Sequence, residues 1–144
     1  MRFFVILFLI SGSVAAQKSD VYTKRGNAIE GYDVVSYFSN TPKKGDKSIS
    51  AEHQGNTYLF SSEENKELFL ASPEKYLPEY GGYCAYAIAT KGKKVKIDPE
   101  TFEIRDDKLY LFYNAWGTNT LTLWLNDDPQ KLVSQANKNW AKQP

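Results

Sequence analysis

The chain has 144 residues, 42% hydrophobic and 15% aromatic, with 18 Lys and Arg against 17 Asp and Glu. That length suits one domain. Charges this evenly balanced leave no global field to draw nucleic acid or an anionic membrane, so binding classes that rest on such a field are excluded.

From the N-terminus, Met1-Arg2 is a short basic start and Phe3 to Ile10 an unbroken apolar run. Small residues follow, ending in Val14-Ala15-Ala16. The pattern predicts a signal peptide over residues 1–16, cut before Gln17. The run is shorter than the about 20 residues a permanent span needs, although an uncut N-terminal anchor is the alternative. No Cys follows the small residues, so the pattern is not that of a lipoprotein signal. Cutting removes Arg2 and leaves 17 Lys and Arg against 17 Asp and Glu. The expected destination is export, to the periplasm or the medium, with no membrane span remaining. Residues 17–27 are polar and read as a loose mature N-terminus, with structure starting near Ala28.

Asp33 is placed to cap a short helix carrying Val34, Val35, Tyr37 and Phe38. Ile49 to His53 and Thr57 to Phe60 alternate with a period of two around Gln54-Gly55-Asn56, which predicts a hairpin. Ser61-Ser62-Glu63-Glu64 reads as a capping box with Ser61 as the cap. Ser72-Pro73 ends that helix and opens another, which Pro78 stops. Two glycines, Gly81 and Gly82, permit a sharp turn, and the Ala-rich stretch from Cys84 to Ala89 favours helix. Lys91, Lys93, Lys94 and Lys96 read as a solvated loop face. Phe102 to Arg105 and Lys108 to Tyr113 flank Asp106-Asp107 as a second hairpin. Trp116 to Asn126 fits strand and helix equally. Asp128-Pro129 then opens a final helix with Leu132, Val133, Ala136 and Trp140 on one stripe. The expectation is α+β: one small domain over residues 28–141, two β-hairpins packed with about five short helices.

Chemistry is limited by residue counts. There is one Cys, one His and one Met, the Met being the initiator. An intramolecular disulfide is excluded, and a soft-metal site built from one chain lacks thiolates. Cys84 follows the glycines and is expected to begin a helix, where backbone amides favour a thiolate. A buried, inert Cys84 is the alternative. Gly81 and Gly82 would let a ligand approach the backbone, and Tyr80, Tyr83 and Tyr86 would line an aromatic pocket or simply pack. His53 stands on a predicted strand beside a turn. An exposed position is expected there, with a ligand or base role as the alternative. No Ser-His-Asp order, P-loop or dinucleotide fingerprint is present.

Several stretches together resemble a known family. They are Gly31 to Phe38, Gly55 to Asn65, Ser72-Pro73-Glu74-Lys75-Tyr76 and, most specifically, Pro78-Glu79-Tyr80-Gly81-Gly82-Tyr83-Cys84-Ala85. Asp98-Pro99, Lys108 to Leu111 and Asn139-Trp140 complete the pattern. From about Ala28 to Trp140 the chain resembles the exported bacterial branch of the YHS-domain proteins. Some relatives there are classed as selenoproteins, and a selenocysteine at the place of Cys84 would imply a redox role. The wider family is associated with heavy metals such as copper, through cysteines after the Tyr-x-Phe strand and in the next helix. Those places here hold Ser61 or Ser62 and Asn65, so those ligands do not carry over. The metal candidates left are Cys84 and His53, or two copies of Cys84 meeting in a homodimer.

The resulting expectation is a non-enzymatic binding module for a metal, a small ligand or a periplasmic protein partner. Its site would lie near Cys84, with Gly81, Gly82, Tyr83 and Tyr86. The alternatives are a thiol-redox protein using Cys84 and an interaction module in which Cys84 is structural.

Overall fold

A computed structural model describes residues 18–144. The leader assigned to residues 1–16 lies outside the described residues, as does Gln17. Two short strands, β1 (Thr23–Lys24) and β2 (Asn27–Ala28), open the domain. The long hairpin follows as β3 (Asp46–His53) and β4 (Asn56–Phe60). These four form one sheet in the order β1-β2-β4-β3, with β2 parallel to β4 at Asn27 and Thr57. Next come α1 (Glu63–Ala71), α2 (Pro73–Tyr76) and α3 (Ala85–Lys91). A second hairpin, β5 (Asp98–Arg105) and β6 (Lys108–Phe112), precedes a small one, β7 (Asn114–Ala115) and β8 (Thr118–Asn119). Helices α4 (Thr120–Asn126) and α5 (Pro129–Ala141) close the chain. The α+β expectation holds.

Four two-residue turns join the hairpins, and in each both central residues have positive φ, as type I′ turns require. Three of them place an Arg, Gln or Trp before a glycine, and the fourth is Asp106-Asp107. Trp116, at the tip between β7 and β8, has φ 54° and is 94% exposed. A bulky residue in this left-handed region costs about 1–2 kcal/mol, and here the ring gains no burial in return.

The core has two parts. One lies under the four-stranded sheet and includes Val34, Tyr37, Tyr58, Phe60, Phe69 and Cys84. The other gathers Tyr80, Ile88, Phe112, Trp124, Leu132 and Ala136 between α3, α5 and β6. The indole of Trp124 donates to Glu103 Oε2 at 2.7 Å, so this buried ring leaves no polar atom unused. Leu132 and Ala136 are the buried members of the predicted α5 stripe, and Asp128 caps it by accepting from the Lys131 amide. The ambiguous stretch resolves into the β7–β8 turn followed by α4.

Three local expectations are corrected. Asp33 caps no α-helix; the chain beyond it forms a 3-10 turn over Ser36–Ser39. The cap of α1 is Ser62, accepting from the Asn65 amide at 3.1 Å, because Ser61 is committed elsewhere. Order begins before Ala28: the Ser19 amide donates to the Gln54 carbonyl and the Tyr22 amide to the Gly81 carbonyl, at 2.9 and 2.8 Å.

Asp33 itself is fully buried and explains where Ser61 went. Its Oδ1 accepts from the Val35 amide at 2.9 Å. Its Oδ2 accepts from the Ser61 amide, the Ser61 hydroxyl and Asn65 Nδ2, at 2.9, 2.7 and 2.7 Å. A buried carboxylate needs such donors, and this one has four without a cation. Asp33→Asn presents an NH2 group to donors that need an acceptor. It is expected to lower unfolding free energy by about 2–4 kcal/mol in urea titrations. By contrast, Trp116→Asn places the preferred residue at its turn and is expected to raise stability by about 0.5–1 kcal/mol in the same assay.

Candidate functional site

Cys84 caps the N-terminus of α3, as the Ala-rich pattern implies, and is 0% exposed. Its amide donates to the Val95 carbonyl, and its carbonyl accepts from the Ile88 amide. The sulfur lies 3.3 Å from Thr120 Oγ1. Thr120 has a single hydroxyl hydrogen, which goes to the Tyr113 carbonyl at 2.7 Å. The Cys84 S–H is therefore the donor to Thr120 Oγ1. Full burial also keeps the thiols of two chains from meeting at this surface.

The neighbours of Cys84 do not converge on it. Tyr80 is buried and donates to Asn137 Oδ1 at 2.9 Å. Tyr83 donates to Asp20 Oδ1 at 2.8 Å, and burial together with that carboxylate pushes its phenol up to about 12. Tyr86 packs against both parts of the core. Gly81 and Gly82 both have positive φ, and their open faces are filled by the chain itself. A Cβ at Gly81 would collide with the Asp20 carbonyl oxygen, and one at Gly82 with Ile29 Cδ1. The N-terminal segment therefore occupies the approach that a ligand would take. Lys94 is not part of a solvated face: it pairs with Asp20 and stands 5.6 Å over the Trp140 ring. That pairing holds the Asp20 carboxyl below its ordinary value.

His53 is not the exposed strand residue the turn implies. Its side chain is 19% exposed, on the core face of β3, with its ring edge-on to Phe69 at 5.6 Å. Its Nε2 has no hydrogen-bond partner and lies 4.0 Å from Glu74 Oε1. A resident heavy metal does not fit these donors. No group of three or more His, Cys, Asp or Glu side chains is placed to hold one among the described residues. Cys84 has only Thr120 beside its sulfur, and Ser61 and Asn65 are spent on Asp33.

The surface does offer concavity. A cleft of about 410 Å³ opens between residues 19–21, the tip of the β3–β4 hairpin and the turn after α2. Tyr58, Leu77, Pro78, Gly81 and Trp140 are among the residues that wall it. Tyr58 is only 1% exposed, and its hydroxyl has no partner. Burial, with Glu74 nearby, pushes that phenol up to about 12, so it stays protonated at neutral pH. Glu79, also on the wall, has its carboxyl pushed above the ordinary value by burial, with Lys108 pulling the other way. A larger groove of about 730 Å³ crosses the outer face of the sheet past Lys24, Arg25, Lys44 and Lys47. Among the described residues, no buried unpartnered side-chain atom lies on that groove. Sequence reading missed Tyr58 and Glu74. Alternation along β4 marks Tyr58 as inward, but nothing local marks its hydroxyl as unpaired.

Residues 40–80 match the family model of the YHS domain. No curated protein and no solved structure matches the chain. The matched stretch contains the β3–β4 hairpin and most of the cleft wall, and it stops short of Cys84. With its sulfur sealed in the core, Cys84 is expected to resist iodoacetamide in the native protein and to react at the rate of a free thiol once urea unfolds it. Fast native alkylation, followed by mass spectrometry, would contradict the sealed geometry.

Proposed function

We propose that this protein is an exported, non-enzymatic member of the YHS-domain proteins that takes a small ligand in the cleft beside Tyr58. The observation that carries this reading is a localised deficit of hydrogen bonds. Among the described residues, three buried side-chain polar atoms lack partners: His53 Nε2, Asn56 Oδ1 and Tyr58 Oη. All three belong to the turn end of the β3–β4 hairpin, and Tyr58 is on the cleft wall. Buried polar groups are ordinarily paired, so three orphans in one place are open to a partner from outside the chain, a water or a ligand. The volume supports the same reading, since small-molecule sites run from about 300 to 1,000 Å³.

Export is supported by the basic start, the apolar run and the small residues over positions 1–16. The described residues contain no helix long and apolar enough to cross a membrane. The redox alternative finds no support in a thiol that is buried and already donating. The interaction-module alternative has Trp116 in its favour, a large apolar ring held out on a turn that a different residue would suit better.

An NMR fragment screen tests the proposal. Hits are expected to shift the amide signals of residues 19–21, Leu77 and residues 79–81, and to do so equally in Cys84→Ala. Hits that cluster only around Trp116, or that vanish with the Cys84 sulfur, would favour the competing readings instead.

A further inference from the structure

From the charges and acceptors around the cleft, we propose that its ligand carries a primary ammonium group on a short apolar stem, seated between Tyr58 and Glu74. The inference rests on the cleft being the ligand site and adds the chemical class.

Three observations define that class. The charged residues lining the cleft are Asp20, Glu74 and Glu79, with no Lys or Arg among them. Asp20 is already paired with Lys94, whereas among the described residues the one ionic approach to Glu74 is that of His53 at 4.0 Å. The cleft thus favours a cation. Second, the Tyr58 hydroxyl is buried, unpartnered and on the cleft wall. Third, His53 Nε2 is unpartnered and 4.0 Å from Glu74 Oε1. With its proton on Nδ1, the imidazole offers a lone pair at Nε2.

An ammonium has three N–H donors and no acceptor. The phenol oxygen, the carboxylate and the imidazole nitrogen supply three acceptors. Acceptors bonded to one nitrogen at about 2.9 Å stand about 4–5 Å from each other. The 4.0 Å between His53 Nε2 and Glu74 Oε1 falls in that range, too long for a direct bond and suited to a shared donor. Leu77, Pro78 and the Trp140 ring give the stem an apolar wall. A neutral alcohol would gain no attraction from the Glu74 charge, and a carboxylate would be repelled by it.

The test is an NMR titration of the protein with n-butylammonium, with n-butanol and butyrate as matched probes. Saturable shifts of the His53 and Tyr58 ring signals are expected with n-butylammonium alone. Tyr58→Phe removes one acceptor, and Glu74→Gln removes the charge from an exposed side chain. Each is expected to weaken n-butylammonium binding about tenfold or more while the protein stays folded. Unchanged affinity in both variants overturns the seat between these residues. If n-butanol or butyrate binds as well as the amine, the ammonium class is wrong and the cleft remains a ligand site. If no probe shifts the cleft signals, the amine proposal fails, and an empty fragment screen would take the cleft reading with it. A parallel titration with Nα-acetyl-lysine methylamide separates sources. Tighter binding than n-butylammonium identifies a lysine side chain as the ligand, and weaker binding identifies a free alkylamine.

Discussion

The Asp33 carboxylate is the constraint on which the rest of the structure depends. It is a buried charge held by donors from three places in the chain: its own turn, the end of β4 and the first turn of α1. Each donor has its position fixed by the carboxylate, because a misplaced one would leave a charge buried without compensation. The segment around Asp33 is thereby locked over β4. That lock seats Ile29 against Gly82, and it delivers the Tyr37 ring edge-on to Phe102 with its hydroxyl on the Pro99 carbonyl. The two hairpins share one core through that contact.

Close approach of the chain to itself also shapes the glycine turn. From sequence, adjacent glycines before a cysteine read as room for a ligand. The chain fills that room with residues 19–22, bonding Gly81 through the Tyr22 amide and anchoring Asp20 to both Tyr83 and Lys94. The glycines are needed for close approach by the protein's own backbone. The part left open is the far edge of the same segment, where it faces the β3–β4 tip, and that edge is the cleft. Trp140 belongs to both sides of this arrangement, because Lys94 covers its ring and its edge walls the cleft. Asn139 beside it donates to the Ile88 and Ala89 carbonyls, closing the C-terminus of α3 and holding α5 in place.

Elements whose cause is local were legible in the sequence. The alternation on β3, β4, β5 and β6 gave both long hairpins, and Asp128-Pro129 with a helical stripe gave α5. The polar stretch 17–27 misled because its described part is fastened by backbone groups, which composition does not reveal. Trp116 to Asn126 stayed ambiguous because β7 and β8 have two residues each, too few for any periodicity. The site was less legible than the fold. Cys84 meets Thr120 across 36 positions, and Asp33 meets Asn65 across 32. Such pairings are set by packing, and no spacing rule anticipates them.

The two ends of β4 differ in how their polar groups are used. At Ser61, which with Ser62 is where the family resemblance puts a metal-associated cysteine, every donor is consumed by Asp33. A corner built this way offers no thiolate to a metal and spends its donors on the carboxylate, so it acts as structure. At the hairpin tip the opposite holds: Tyr58 and His53 are placed by the aromatic cluster around Phe69, yet their polar atoms are left unpaired. Packing there fixes the positions of acceptors without using them, which is the preorganisation a binding site requires. Polar groups are satisfied at one end of the strand and left open at the other. With serine and asparagine bonded to Asp33, that corner holds the fold together, and the open acceptors lie at the hairpin tip.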